Sequence, residues 1–112
     1  MTTYREPTQE ENWVRKYESL VNYICDGYEE NIYEYTNDLA CRLFIQEASK
    51  QNSESILFMN ERVKKADEKL QSVLQETNTC IHGNYPKTYF WFWGVPENSD
   101  EFMNEAELNH WI

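Results

Sequence analysis

An apolar repeat in the second half of the chain limits the possible folds more than any other pattern in the sequence. Its members alternate steps of three and four residues: Ile56, Met59, Val63, Ala66, Leu70, Val73 and Thr77. This spacing places one stripe of side chains along an α-helix and is typical of helices that pack on other helices. It predicts a long helix over about residues 53–77, which needs further helices to cover its stripe.

Two helices are predicted before the repeat. Thr8 and Glu11 have the spacing of a capping box, and an apolar stripe at helical spacing follows: Trp13, Tyr17, Leu20, Val21, Ile24 and Tyr28. The first helix is therefore predicted over about residues 8–25, ending before Gly27. Asp26 is the predicted N-cap of a second helix, whose stripe is Ile32, Tyr35, Leu39, Leu43 and Glu47, flanked by Thr36, Ala40 and Phe44.

The last third of the chain has a different pattern. A loop over residues 82–87 precedes five consecutive aromatic residues, 89–93, which favour an extended conformation. They could pair with residues 79–81 as a small hairpin or lie across the helices. Asn98 or Ser99 could cap a short last helix.

The expected fold class is therefore all-α. Short connectors favour an antiparallel three-helix bundle, followed by an aromatic C-terminal extended segment or small hairpin and a short terminal helix. The 112 residues suit one acidic helical domain over 1–112. The predicted core is Leu20, Ile24, Leu39, Leu43, Val63, Leu70 and Val73.

The chain is strongly acidic, with a formal net charge of -10. Residues 1–49 contain ten acidic and four basic side chains, whereas residues 50–77 contain five of each. Such a charge disfavours direct binding to nucleic acid or anionic lipid and favours a basic protein partner. Plain solubility is the competing explanation.

Acidic residues and tyrosines alternate where the first two predicted helices meet. The candidate partner-binding residues are Tyr23, Asp26, Glu29, Glu30, Tyr33, Glu34, Asn37 and Asp38. Tyrosine gives a large contact area at low entropic cost, and carboxylates attract a Lys/Arg-rich surface. A partner-binding surface and a merely solvated face are both compatible with this pattern.

The aromatic run is the alternative interface, through Tyr89, Trp91 and Trp93. Most such runs belong to the core, but one that is apolar on both sides must be covered on both. Stacking on nucleic-acid bases is disfavoured because such platforms accompany a basic groove, and Lys87 is the only base nearby.

No motif in the sequence indicates catalysis or a cofactor. Cys25, Cys41, Cys80, His82 and His110 lack the paired spacing of structural zinc sites, and the chain has only three glycines and no phosphate-binding loop. We therefore expect no enzyme activity, no metal and no cofactor.

The cellular setting is predicted from the cysteines and the first residues. Three cysteines without paired spacing suggest free thiols in a reducing cytoplasm. Residues 1–7 contain no apolar run, so no signal peptide is expected.

These patterns lead to two functional hypotheses. The first is an acidic inhibitor that blocks a basic nucleic-acid-handling protein, as an immunity protein blocks a nuclease toxin or a phage anti-defence or anti-CRISPR-like protein blocks its target. The alternative is a helical structural or adaptor subunit, including a homodimer.

Overall fold

The structure is a computed structural model that describes residues 8–112. Five α-helices lie in this range: α1 (Gln9–Gly27), α2 (Ile32–Lys50), α3 (Glu54–Phe58), α4 (Asn60–Gln71) and α5 (Asp100–Leu108). A 3-10 turn (Phe90–Phe92) and the strands β1 (Leu74–Glu76) and β2 (Gly94–Pro96) complete it. The prediction of a mostly helical chain is confirmed in this coarse form. The expectation about a signal peptide falls on residues 1–7, outside the described residues.

The predicted start of α1 is confirmed. The backbone N–H of Glu11 donates to Thr8 Oγ1 at 3.1 Å, and the N–H of Thr8 donates to Glu11 Oε2 at 3.2 Å. These two bonds form the capping box and satisfy backbone donors that the helix leaves unpaired. At the other end, Gly27 adopts a φ of 113°, a conformation that favours glycine.

The predicted N-cap of the second helix is wrong. Asp26 lies inside α1, and the cap of α2 is Asn31, whose Oδ1 accepts from the N–H of Glu34 at 3.0 Å. The chain first passes through an extended residue, Tyr28, whose ring is buried against that of Tyr35 at a centroid distance of 5.5 Å. Burial of this ring therefore accompanies the later start of α2.

The predicted long third helix is wrong after Gln71. The repeat divides into α3 and α4 around Met59, and residues 74–76 then form β1. β1 pairs with β2 in antiparallel register, and the ladder continues where the N–H of Thr77 donates to the carbonyl of Trp93 at 2.9 Å. Val73 and Thr77 flank β1, and the carbonyl of Val73 accepts from the N–H of Glu97 at 2.9 Å. These bonds to a distant segment replace those of a further helical turn.

The predicted extended aromatic segment is wrong, and residues 79–81 form no strand with it, although the N–H of Ile81 donates to the carbonyl of Phe92 at 2.9 Å. Residues 90–92 form a 3-10 turn, and β2 begins just after them. An extended run would send alternate side chains to opposite faces. The turn instead brings Tyr89, Trp91 and Phe92 into the core together.

The cap of the terminal helix is Ser99, one of the two predicted candidates. Its Oγ accepts from the N–H of Phe102 at 3.4 Å. The other candidate, Asn98, ties the C-terminal region to the first helix, because its amide donates to the carbonyl of Ile24 at 3.0 Å. This bond satisfies one of the carbonyls left unpaired at the end of α1.

Most of the predicted core is confirmed. Five residues are buried as expected: Leu20, Ile24, Leu39, Val63 and Leu70. Leu43 and Val73 are only partly buried, so that part of the prediction is wrong. Arg42 and Ile45 are buried on α2 instead, which means that α2 is rotated relative to its predicted stripe.

A buried ion pair accompanies this rotation. Arg42 donates from Nε and Nη2 to the two carboxylate oxygens of Asp67 on α4, at 2.9 and 2.8 Å. The hydroxyl of Tyr17 on α1 donates to the same carboxylate at 2.6 Å. The guanidinium lies over the ring of Trp91, 4.1 Å from its centroid. This cluster connects α1, α2, α4 and the 3-10 turn.

Asn52 ends α2 in the left-handed conformation, with a φ of 58°. The N–H of Ser53 reaches back to the carbonyl of Ala48 at 3.0 Å, as in a Schellman motif. Asparagine tolerates this conformation better than most residues. In the described part of the chain, no helix is both long and apolar enough to cross a lipid bilayer.

Candidate protein-binding groove

A groove of about 620 Å³ runs along the outer surface between α1 and α2, and we call it the α1–α2 groove. The two helices are antiparallel, since Trp13 contacts Phe44 at one end and Tyr28 contacts Asp38 at the other. The residues that line the groove are Trp13, Lys16, Ser19, Leu20, Tyr23, Glu30, Glu34, Asn37, Asp38, Ala40, Cys41 and Phe44.

The end of the groove near the α1–α2 connector is acidic. It contains five of the eight predicted partner-binding residues: Tyr23, Glu30, Glu34, Asn37 and Asp38. Lys16 is the only basic side chain in the lining, against three carboxylates. The structure thus brings most of the predicted cluster together and gives its groove a negative charge.

Two tyrosine hydroxyls orient these carboxylates. Tyr28 donates to Asp38 Oδ2 at 2.6 Å, and Tyr23 donates to Glu30 Oε1 at 3.1 Å. Burial raises the pKa of Tyr28, and its hydrogen bond to Asp38 raises that pKa further. Partial desolvation likewise raises the pKa of Tyr23, with a contribution from Glu30. Both hydroxyls therefore remain protonated donors at neutral pH, and both carboxylates keep oxygens for a cationic ligand.

The other three predicted residues lie away from the groove. Tyr33 is 78% exposed and lines a smaller cleft of about 130 Å³ that includes Glu101 and Glu105 of α5. Asp26 and Glu29 are exposed near the connector but do not line the groove. The predicted cluster is therefore divided between two surfaces.

The opposite end of the groove is formed by two aromatic rings, with Lys16 one helical turn from Trp13 on α1, and the sequence prediction missed it. The rings of Trp13 and Phe44 lie 5.3 Å apart, and Phe44 is 46% exposed. The sequence pattern places Phe44 on the flank of the buried stripe. A second stripe on α2, Glu34, Asn37, Cys41 and Phe44, advances in steps of three, four and three residues and could have revealed this surface.

Cys41 lies on the floor of the groove. It is 4% exposed, and its thiol donates to the carbonyl of Asp38 at 3.1 Å. Burial raises the pKa of the Cys41 thiol to about 11. A protonated, buried thiol is a poor nucleophile and a poor metal ligand, so Cys41 behaves as a small apolar packing residue.

The alternative interface is mostly buried. Tyr89 and Trp91 are 5% and 1% exposed, and the hydroxyl of Tyr89 hydrogen-bonds to Lys50 and Glu47. Trp93 is partly exposed and lies beside Lys87, whose Nζ is 5.5 Å from the indole centroid. Trp93 is therefore the member of this set with most surface available to a partner.

Two of the residues considered for chemistry, Cys80 and His82, are engaged in structural contacts. The thiol of Cys80 donates to the carbonyl of His82 at 3.1 Å, and the imidazole of His82 hydrogen-bonds to Thr36 Oγ1 at 2.6 Å. Burial lowers the pKa of His82. Across residues 8–112, no group of three or more His, Cys, Asp and Glu side chains is arranged to hold a metal ion.

Comparisons with protein families, with curated proteins and with solved structures find no match to this chain. The α1–α2 groove is therefore interpreted from its own residues.

Proposed function

We propose that this protein is an acidic inhibitor that binds a basic nucleic-acid-handling protein in the cytoplasm. An immunity protein of a nuclease toxin, or a phage anti-defence or anti-CRISPR-like inhibitor, would have this mode of action. The α1–α2 groove is the proposed contact surface, on a three-helix bundle in which α3 and α4 together form the third helix. The main support is the cluster of three carboxylates, two of them oriented by tyrosine hydroxyls, at one end of this groove.

The proposed mechanism is contact with a phosphate-binding surface, or with a surface next to it. Lysine and arginine side chains that normally meet phosphates would meet Glu30, Glu34 and Asp38 instead, and the opposite charges would speed association. Full imitation of a nucleic acid is less well supported, because α3 and α4 together carry four acidic and four basic side chains and Arg62 pairs with Glu18 of α1.

A structural or adaptor subunit is the second candidate, and one exposed patch favours it. Phe58 is 92% exposed and Leu57 is 49% exposed where α3 meets α4. The apolar repeat itself packs in the protein's own core, since Ile56, Met59 and Val63 are buried. A homodimer would therefore use the Leu57–Phe58 patch. Light scattering should then show a salt-resistant dimer that Phe58→Ala disrupts, whereas the inhibitor hypothesis expects a monomer.

The inhibitor hypothesis is tested by isolating a partner and assaying its activity. The wild-type protein and a Glu34→Lys variant serve as baits in an extract of the native host, and proteins that prefer the wild type are identified and purified. We expect a basic nuclease or nucleic-acid-binding protein whose activity falls when one equivalent of inhibitor is added. A partner that is neither basic nor inhibited would contradict the hypothesis.

Association kinetics with that partner test the acidic end of the groove. Glu34→Lys should lower the association rate constant several-fold at about 0.05 M salt and much less at about 0.5 M, because salt screens exposed charges. Glu68→Lys is the matched control, since Glu68 is exposed on α4 and does not line the groove. Equal effects of the two variants would show that only net charge matters.

A further inference from the structure

The α1–α2 groove has features that specify the shape of its partner, beyond the partner's positive charge. We infer that the groove receives an amphipathic α-helix that presents an apolar side chain to Trp13 and Phe44, and lysine or arginine about two to three turns away. This inference rests on the proposed function. It assigns the aromatic pair, which sequence analysis missed, as the anchor point of the interface.

The two ends of the groove differ in chemistry. Trp13 and Phe44 form one end, where Phe44 remains 46% exposed although its ring contacts the indole. Glu30 and Glu34 are exposed at the other end. Covering a partly exposed aromatic surface with an apolar side chain is favourable because it removes apolar area from water. The carboxylates are instead stabilised by hydrogen bonds from a cationic side chain. A purely basic segment would leave the aromatic end uncovered.

The separation of the two ends follows from helix geometry. Glu34 and Phe44 are ten residues apart on α2, which corresponds to about 15 Å at 1.5 Å per residue. A partner helix lying along the groove therefore needs its apolar and basic side chains about seven to eleven positions apart on one face. Long lysine and arginine side chains account for this range, because they can reach over a further helical turn.

The backbone of the groove favours a helix over an extended segment. Its lining comes from two α-helices and the connector between them, and helices use most of their backbone groups internally. An extended segment would therefore find few backbone partners for its own N–H and C=O groups, and burying them unpaired is costly. A helix satisfies these groups internally and contacts the groove with side chains alone.

A second copy of this chain is a poor occupant. The protein carries a net charge of -10, so association through an acidic groove would bring like charges together. The basic residues of α4 are partly engaged already, with Arg62 paired to Glu18 and Lys69 bonded to Asn22. A basic helix of another protein fits the charge of the groove better.

The experiment uses three labelled synthetic peptides of about 20 residues, alanine-rich so that they form helices in isolation. The patterned peptide carries leucine at position i and arginine at i+7 and i+11. The second has the same composition, with the leucine moved two positions, to the opposite face of the helix. The third keeps the charges but has a central proline, which breaks the helix. Fluorescence anisotropy with the full chain at low salt measures each affinity.

We expect the patterned peptide to bind about tenfold more tightly than either control peptide. Phe44→Ala should weaken its binding about tenfold at any salt concentration, whereas Glu34→Lys should weaken it mainly at low salt. Phe58→Ala is the matched control, because Phe58 is an exposed phenylalanine outside the groove, and it should leave binding unchanged. Circular dichroism verifies that each variant is folded.

Four results would overturn the inference. Equal binding of all three peptides would mean that charge alone attracts them, and full binding of the proline peptide would indicate an extended ligand. No measurable binding of the patterned peptide, or no effect of Phe44→Ala, would remove the aromatic anchor. The proposed function would survive each of these results if a basic nuclease is still inhibited, so the two failures are distinguishable.

Discussion

Replacing Asp67 with asparagine should destabilise the protein by about 3 kcal/mol, because it leaves the guanidinium of Arg42 buried without its counter-ion. Removing one partner of a buried ion pair typically costs about 3–5 kcal/mol. The lower end of this range applies, since the side chain of Asp67 is 20% exposed and water can reach it, whereas that of Arg42 is 8% exposed. For a domain of this size, such a loss lowers the melting temperature by roughly 10–20 °C.

The physical reason is tested by a series of variants. Tyr17→Phe removes the 2.6 Å hydrogen bond to the same carboxylate but leaves the ion pair, so it should cost about 1.5 kcal/mol, the lower limit for a bond to a charged group. The double replacement Arg42→Met with Asp67→Leu removes both charges and should recover most of the stability lost in Asp67→Asn. Arg42→Met alone leaves Asp67 without its counter-ion, but this carboxylate is partly exposed and keeps the hydrogen bond from Tyr17, so the loss of stability should be intermediate.

Urea denaturation followed by circular dichroism gives the free energy of unfolding of each variant. Glu68→Gln is the control, because Glu68 is the exposed neighbour of Asp67 on α4, and it should change stability by less than about 0.5 kcal/mol. The reasoning is refuted if Asp67→Asn is as stable as this control. It is also refuted if the double variant is no more stable than Asp67→Asn, since the unpaired charge would then not be the cause.

Three further outcomes are expected. Leu70→Ala should cost about 2–5 kcal/mol in urea denaturation, because Leu70 is fully buried, whereas the exposed Leu108→Ala should have little effect; an unchanged midpoint for Leu70→Ala would contradict the packing of α4. Asn52 has a φ of 58°, so Asn52→Gly should leave the melting temperature unchanged or raise it, whereas Asn52→Ala should lower stability by about 1 kcal/mol. Equal melting temperatures of the Gly and Ala variants would contradict this. Burial lowers the pKa of His82, so its contribution to stability is complete above the unfolded-state pKa of about 6.5 and is lost as the pH falls through the lower folded-state pKa. Thermal denaturation at about pH 7.5 and about pH 5.5 should therefore show a larger loss for the wild type than for His82→Gln, and equal losses would contradict the assignment.

The start of α1 could be predicted from sequence because its causes are local. The capping box joins Thr8 to Glu11, only three residues away, and Tyr17 and Ile24 lie on a stripe within the same helix. The exposure of Glu29, Glu30 and Glu34 was predictable for a similar reason, since acidic side chains without a basic partner usually remain in water.

Which residues line the groove could not be predicted from the sequence, because it depends on how α1 and α2 pack against each other. The position of Asp38 beside the buried Tyr28 follows from the contact between the connector and α2. The exposure of Phe44 follows from the rotation of α2, which Arg42 and its partner Asp67 on α4 accompany. A periodic pattern on α2 identifies its possible faces, but the neighbours of α2 determine which face is buried. For this reason the acidic residues were predicted while the aromatic end of the same groove was not.

Within the apolar repeat, too, one part could be predicted from the local pattern and the other part depended on distant contacts. Its spacing correctly predicted the helix at Val63 and Leu70 and the burial of both residues, because each helical hydrogen bond joins residues four positions apart. At Val73 and Thr77 the spacing continues, yet the backbone bonds to Glu97 and Trp93 instead. These partners are about twenty residues away along the chain, so only the tertiary structure, by bringing β2 beside β1, could decide that the helix ends and a strand begins.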